Sequence, residues 1–144
     1  MIRPISGPQL LDLVRASKAR TVLVNVWATW CIPCREEFPE ILRIRERYRE
    51  RGVEVVLVSA DFDDTVGEAR KFLAEHGVDF TTYVKSGGDM EFINTLDPDW
   101  SGALPATFIF DSTGKRRHSL LGKTSYDTFE GKVLDVLKDH GGER

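Results

Sequence analysis

Apolar residues fall along this chain in two alternating rhythms. Thr21–Trp27 (TVLVNVW) and Val53–Ser59 (VEVVLVS) are near-continuous, β-branched runs, the pattern of strands covered on both faces. Between them, from about Ile32 to Arg51, apolar positions recur at helical spacing among Glu and Arg. Gly52 then stands where a helix favours a left-handed closing residue. Ser6-Gly7-Pro8-Gln9 has the form of a capping box with an early proline, which predicts a short helix through Leu10, Leu11 and Val14. After the second strand, DFDDTVGEARKFLAEHG predicts an amphipathic helix that stops at Gly77. Phe80–Val84 reads as a short strand and Asp89–Leu96 as a short helix. Thr107–Phe110 and Arg116–Leu121 are separated by DSTGK, a hairpin signal. A last helix is expected over Ser125–His140, with Phe129, Val133, Val136 and Leu137 turned inward. The order α-β-α-β-α-(β-α)-β-β-α predicts an α/β fold in which helices flank a central mixed β-sheet.

Composition narrows the picture without changing it. With 144 residues, 41% of them hydrophobic and 30% charged, the chain reads as one soluble domain over 1–144, long enough to bury a real core. A net charge of −3 from nearly balanced acids and bases implies no broad attraction to nucleic acid. The Arg-rich stretch REEFPEILRIRERYRERG interleaves Glu with Arg at helical spacing, as a solvated helix face does. The longest apolar runs, Val22–Trp30 and Val53–Ala60, are shorter than the roughly 18 residues of a membrane span, so no span is expected. No basic stretch followed by an apolar one opens the sequence as an export signal would. That fits a cytoplasmic protein or a mature, trimmed domain equally.

Candidate chemistry is concentrated in VNVWATWCIPCREEFPE, which holds both cysteines, Cys31 and Cys34. Haem attachment would need His directly after the second cysteine, where Arg35 stands. A zinc site would need about four ligands; two thiols exist, and His76, His118 and His140 are scattered without ligand spacing. A structural staple closing so short a loop would remove little entropy from the unfolded chain. Redox chemistry remains. Cys31 falls where strand becomes helix, over the orphan N–H groups and positive end of the helix, and Cys34 lies one turn onward. This setting favours thiolate, so Cys31 is expected to be the exposed attacker and Cys34 the more buried resolving thiol. Pro33, which lacks an N–H, suits an early helical position. No metal and no cofactor are implied.

The same residues carry a family resemblance. WATWCIPC is similar to the thioredoxin superfamily, and VNVWATWCIPCREEFPE resembles its TlpA/ResA-like thiol-disulfide oxidoreductase branch. LPATFIFDSTG resembles the segment in which these proteins place a cis-proline beside the dithiol. The resemblance covers the chain from about 21 to 138 and implies a thioredoxin-like fold and reversible exchange with protein disulfides. It implies that Cys31 and Cys34 are the nucleophilic and resolving cysteines. Leu104-Pro105 would be a cis bond, with Leu104 offering backbone groups to an extended substrate; an ordinary trans proline entering a strand is the alternative. Glu37 matches an active-site glutamate of the branch that could accept and return protons, against its plainer reading as a first-turn carboxylate favoured by the helix dipole. Asn25 stands where thioredoxins proper carry a buried Asp, so that relay is absent and more weight falls on Glu37 or water. Trp27 is expected in the core and Trp30 on the surface around Cys31. Trp100 is expected to pack under a loop, with a place in the substrate groove as the alternative. The stretch DFTTYVKSGGDMEFINTLDPDW resembles the central insertion of the branch, which would shape partner choice.

Other functions remain in view. A peroxiredoxin would carry Thr or Ser three residues before its reactive Cys in a proline-led motif; here that residue is Ala28 and no proline leads. A redox-linked partner-binding module is a further alternative. Ile32-Pro33 places no His beside Cys34, unlike more oxidising relatives, which favours a reductant over an isomerase or oxidase. The expected partners are protein disulfides and an upstream thiol electron donor, with the chain acting as a monomer. By analogy with the branch, the setting is bacterial and periplasmic or otherwise extracytoplasmic.

Overall fold

The structure, a computed structural model, describes residues 1–142, with side chains through 138; the side chain of His140 therefore lies outside the described part. Strand β1 (Ile2–Ile5) is followed by α1 (Gly7–Ala16), β2 (Thr21–Trp27) and α2 (Ile32–Tyr48). Then come β3 (Val53–Ser59), α3 (Val66–Glu75), β4 (Thr82–Lys85), α4 (Asp89–Leu96), β5 (Ala106–Asp111), β6 (Arg116–Leu121) and α5 (Tyr126–Gly142). The strands form one sheet in the order β1-β4-β3-β2-β5-β6. β1, β4, β3 and β2 run parallel, while β5 and β6 are antiparallel to their neighbours. This is the thioredoxin-like α/β arrangement, with α4 inserted ahead of the hairpin.

The two faces of β2 explain the layers. Val22, Val24 and Val26 look toward α1 and α4, where they meet Leu10, Val14, Phe92, Leu96 and Trp100. Leu23 and Trp27 look the other way, onto Phe38, Ile41 and Ile44 of α2, Phe72 of α3 and Phe129 and Val133 of α5. The buried runs in the sequence follow from this double covering. Phe129, Val133, Val136 and Leu137 do face inward from α5.

Three details depart from the expected pattern. The sequence pattern does not predict β1: IRPI is four residues long, half exposed and interrupted by Pro4. It exists because it pairs with β4, some 80 positions along the chain, and an edge strand tolerates proline. β4 itself begins at Thr82 rather than Phe80. The α2 helix ends at Tyr48 and tightens into a 3-10 turn, Arg49–Arg51, before Gly52 reverses the chain at φ +102°. The capping box is formed as expected: the Gln9 N–H donates to Ser6 Oγ (3.2 Å) and the Ser6 N–H to Gln9 Oε1 (2.9 Å).

Candidate active site

The C-terminal end of β2 delivers the redox motif. Cys31 is the N-cap of α2, and its Sγ accepts the Cys34 N–H at 3.3 Å, one of the donors a helix start leaves unpaired. Cys31 and Cys34 are joined as a disulfide across this first turn, with Cα atoms 5.3 Å apart. Both are buried, Cys31 at 6% exposure and Cys34 at 1%. Cys31 is thus less exposed than its expected role suggests, because it packs in the cluster of Trp27, Ala28 and Phe38 while bonded to Cys34. It is still the more exposed of the two cysteines. Pro33 sits half-buried in the first turn, where its missing N–H costs nothing.

On the neighbouring strand, Ala106 pairs with Val26, which sets the Leu104-Pro105 peptide beside the loop that leads from β2 to Cys31. That peptide is cis. Pro105 is buried and its carbonyl accepts the Gly122 N–H at 2.9 Å, while Leu104 is half-buried. Trp30 stands out at 53% exposure and stacks on Phe62, with ring centroids 6.4 Å apart and planes 10° from parallel. Trp27 is in the core, as expected. Trp100 is buried edge-on against Phe108, and its indole N–H donates to the Ala103 carbonyl at 2.8 Å. It packs under the loop, as expected, and also lines a cavity beside Trp30.

Glu37 is no solvated first-turn carboxylate. It lies one turn beyond Cys34 on the buried face of α2, at 1% exposure. Asn25 is the polar exception on the otherwise apolar Leu23–Trp27 face of β2, and its Nδ2 donates to Glu37 Oε2 (3.1 Å) and Thr107 Oγ1 (3.0 Å). The other oxygen, Oε1, accepts the Thr124 N–H at 2.9 Å. Burial pushes the carboxyl up from 4.5 to about 7, against the opposing pull of the Thr124 and Asn25 hydrogen bonds and the Lys123 charge. Glu37 thus has an affinity for protons suited to exchange near neutral pH. Asn25 Oδ1 is buried without a hydrogen-bond partner among the described residues.

One group in the site has no sequence precedent in the motif. The Asp61 carboxylate, buried at the end of β3, accepts hydrogen bonds from the Thr29 N–H (3.2 Å) and from the hydroxyls of Thr29 (2.5 Å), Ser59 (2.5 Å) and Thr65 (3.0 Å). It clamps the loop carrying Trp30 and Cys31 to the loop carrying Phe62. The sequence signal was faint: SADFDD offers three aspartates, and only the fold distinguishes the first from its exposed neighbours. Thr107 and Thr124 were likewise visible only once Glu37 had been placed between them. Among the described residues, no group of three or more His, Cys, Asp or Glu could hold a metal ion.

A mixed six-stranded sheet whose central strand feeds a Cys-x-x-Cys disulfide at a helix N-terminus defines a thioredoxin-like protein. The match to a family model described as Redoxin extends over residues 4–134, so the chain belongs to that family, within the thioredoxin superfamily and its TlpA/ResA-like branch. It is 31% identical over 119 residues to the thiol-disulfide oxidoreductase ResA of Bacillus thuringiensis (strain Al Hakam), an alignment covering 83% of this chain and 65% of that protein. It is 34% identical over 116 residues to the thiol:disulfide interchange protein HelX of Rhodobacter capsulatus, covering 80% and 60% respectively. The chain thus spans a little under two thirds of the length of these curated relatives. Among solved structures it resembles a thioredoxin-related protein from Neisseria meningitidis serogroup B, with a TM-score of 0.67 and 26% identity over 88% of this chain and 89% of that one.

Proposed function

We propose that this protein is a thiol-disulfide oxidoreductase that reduces protein disulfides through Cys31 and Cys34. The observation that carries the reading is the disulfide across the first turn of α2, with the carboxyl of Glu37 buried one turn behind it. In the reduced protein, the helix N-terminus stabilises the Cys31 thiolate, which attacks one sulfur of a substrate disulfide. An S–S bond forms between Cys31 and the substrate as the substrate's own S–S bond breaks, and the departing thiolate takes a proton. Glu37, as carboxylate, accepts the proton of Cys34. The Cys34 thiolate then attacks Cys31 Sγ, releasing the second substrate thiol and regenerating the Cys31–Cys34 disulfide. Two electrons have passed to the substrate, and an upstream dithiol donor must restore them. Trp30, Pro33, Leu104 and Pro105 form the docking surface, Leu104 presenting its backbone to an extended segment.

The lack of a His in the Ile32-Pro33 pair between the cysteines supports the reducing direction, since a positive charge at that place would stabilise the thiolate form and make the disulfide more oxidising. The names of the ResA and HelX relatives support exchange with disulfides as the activity, and the branch supports an extracytoplasmic place of work. No helix among the described residues is long and apolar enough to cross a membrane. We read 1–144 as one unit acting as a monomer.

Trapping tests the reading. Cys34→Ser should attack but fail to resolve, accumulating covalent adducts with disulfide-bearing proteins through Cys31, whereas Cys31→Ser should form none and reduce nothing. Stable adducts on Cys31→Ser and none on Cys34→Ser would reverse the order of attack.

A further inference from the structure

Beside the dithiol, on the opposite face of the sheet from Glu37, lies a cavity of about 210 Å³. Its walls are Trp30, Phe62, Phe92, Ile93, Trp100 and Leu104, so the active-site loop, the Asp61 loop and the inserted helix α4 all contribute. The volume suits one bulky side chain and falls short of the roughly 300–1,000 Å³ typical of drug-sized ligand sites. The walls offer no free donor from Trp100, whose indole N–H is already used within the loop. Two of the walls, Trp30 and Phe62, are more than half exposed, although large apolar surfaces are ordinarily covered. Neither is loosely held: the Asp61 carboxylate fixes the two loops against each other through Thr29 and Thr65. The recess is built before anything enters it, which lowers the entropic cost of occupation.

The rim has a sign. Among the described residues, Lys85 is the single cation lining the cavity, and Asp89 already neutralises it. The exposed carboxylates Asp63 and Asp64 follow Phe62 directly. An acidic segment would therefore be repelled and a basic one attracted. Position fixes the rest. Trp30 is the neighbour of Cys31 and Leu104 the neighbour of Pro105, so the recess is continuous with the surface on which a reacting segment must lie. At about 3.3 Å per extended residue, a side chain in the recess belongs within roughly three residues of the cysteine under attack.

We propose that this recess is a specificity subsite that receives one large apolar side chain from an extended, basic segment of the substrate protein, within about three residues of its reacting cysteine. The proposal rests on the reading of the chain as a thiol-disulfide oxidoreductase. It also accounts for the insertion, because α4 supplies the far wall of a pocket that the redox motif alone would leave open.

Matched peptides provide the test. Each carries one cysteine as a mixed disulfide with a chromogenic aryl thiol and Lys at both flanks, and a single Trp, Leu or Ala is moved through the three positions on either side. Reduced wild-type protein should release the aryl thiol about tenfold faster from the best-placed Trp or Leu peptide than from its Ala counterpart, a factor worth about 1.4 kcal/mol. Replacing the flanking Lys by Glu should slow that peptide. Phe62→Ser, at a position exposed enough to leave the fold intact, should shrink the advantage to under about twofold. Its rate with a small, side-chain-free disulfide and its midpoint potential should match the wild type. Equal rates for Trp, Leu and Ala at every position, or an undiminished advantage in Phe62→Ser, would overturn the subsite while leaving the reductase reading standing. A wild-type protein inert toward the small disulfide as well would take both down.

Discussion

Replacing Glu37 by Gln should change how stability depends on pH more than it changes the fold. The Glu37 carboxyl titrates near 7 in the folded protein against 4.5 for an ordinary glutamate, chiefly because burial disfavours its charged form. Below pH 4.5 the group is protonated in folded and unfolded chains alike, and the stability it allows is fully present. As pH rises through 7 the folded state must accept a buried charge, and that stability is lost. At about 1.36 kcal/mol for each pH unit between 4.5 and about 7, where the unfolded chain is ionised and the folded one is not, the loss comes to about 3 kcal/mol by about pH 8. Gln carries no charge at any pH, so the loss should vanish. It should also fit. Its carbonyl can accept the Thr124 N–H, and its amide can donate to Asn25 Oδ1, which now lacks a partner, once the Asn25 amide turns over. The Thr107 hydroxyl can then donate to the same oxygen. Urea unfolding of the oxidised protein is the suitable assay, since the disulfide keeps thiols out of the titration. The variant should start at or slightly below wild-type stability at pH 4.5 and exceed it at pH 8, the difference between the two proteins moving by about 3 kcal/mol across the range. A difference that stays constant within about 0.5 kcal/mol would show that Glu37 is not held neutral by burial, and the proton-transfer role would fall with it.

Two further outcomes are expected. The Cys31–Cys34 midpoint potential should lie at about −200 to −280 mV, measured by glutathione titration with Trp fluorescence as the signal, while a value near about −120 mV would sink the reductase reading. Asp61→Asn leaves one acceptor where the carboxylate receives four donor groups, so it should cost about 1–3 kcal/mol in unfolding of the oxidised protein. A cost below about 0.5 kcal/mol would mean that the clamp contributes little to holding the two loops.

The sequence announced the elements that bury themselves through local pattern and concealed those that depend on distant partners. The runs TVLVNVW and VEVVLVS, the capped start at Ser6 and the hairpin around Asp111 all appear where their periodicity and turn residues put them. β1 did not, because IRPI acquires its strand character only from β4. The dithiol and the proline were legible from two motifs, since both depend on residue types with few substitutes. The buried setting of Glu37 was not. A carboxylate three residues after a cysteine reads equally as a helix-dipole partner, and the tie came from Asn25, Thr107 and Thr124 on three other parts of the chain. Asp61 and Phe62 show the same limit: four donors and a stacked indole converge there through folding, and nothing in SADFDD names them.

The sheet has a consequence for how such a molecule could be altered, because it acts as a partition. The chemistry sits with α2 and Glu37 against one face, whereas the recess and α4 belong to the cluster on the other. Among the half-buried residues packed against these clusters, Ala60 and Leu104 touch both. Changes separated by a packed layer and sharing few contacts combine nearly additively. The segment from Gly88 to Gly102 could therefore be exchanged for another of similar length to redirect the protein toward new clients. Its potential and proton handling, set on the far side of the strands, would be inherited unchanged. Under the proposed function, client choice and electron transfer would be separable traits in this architecture, and Leu104, the residue before the proline, is where they would meet.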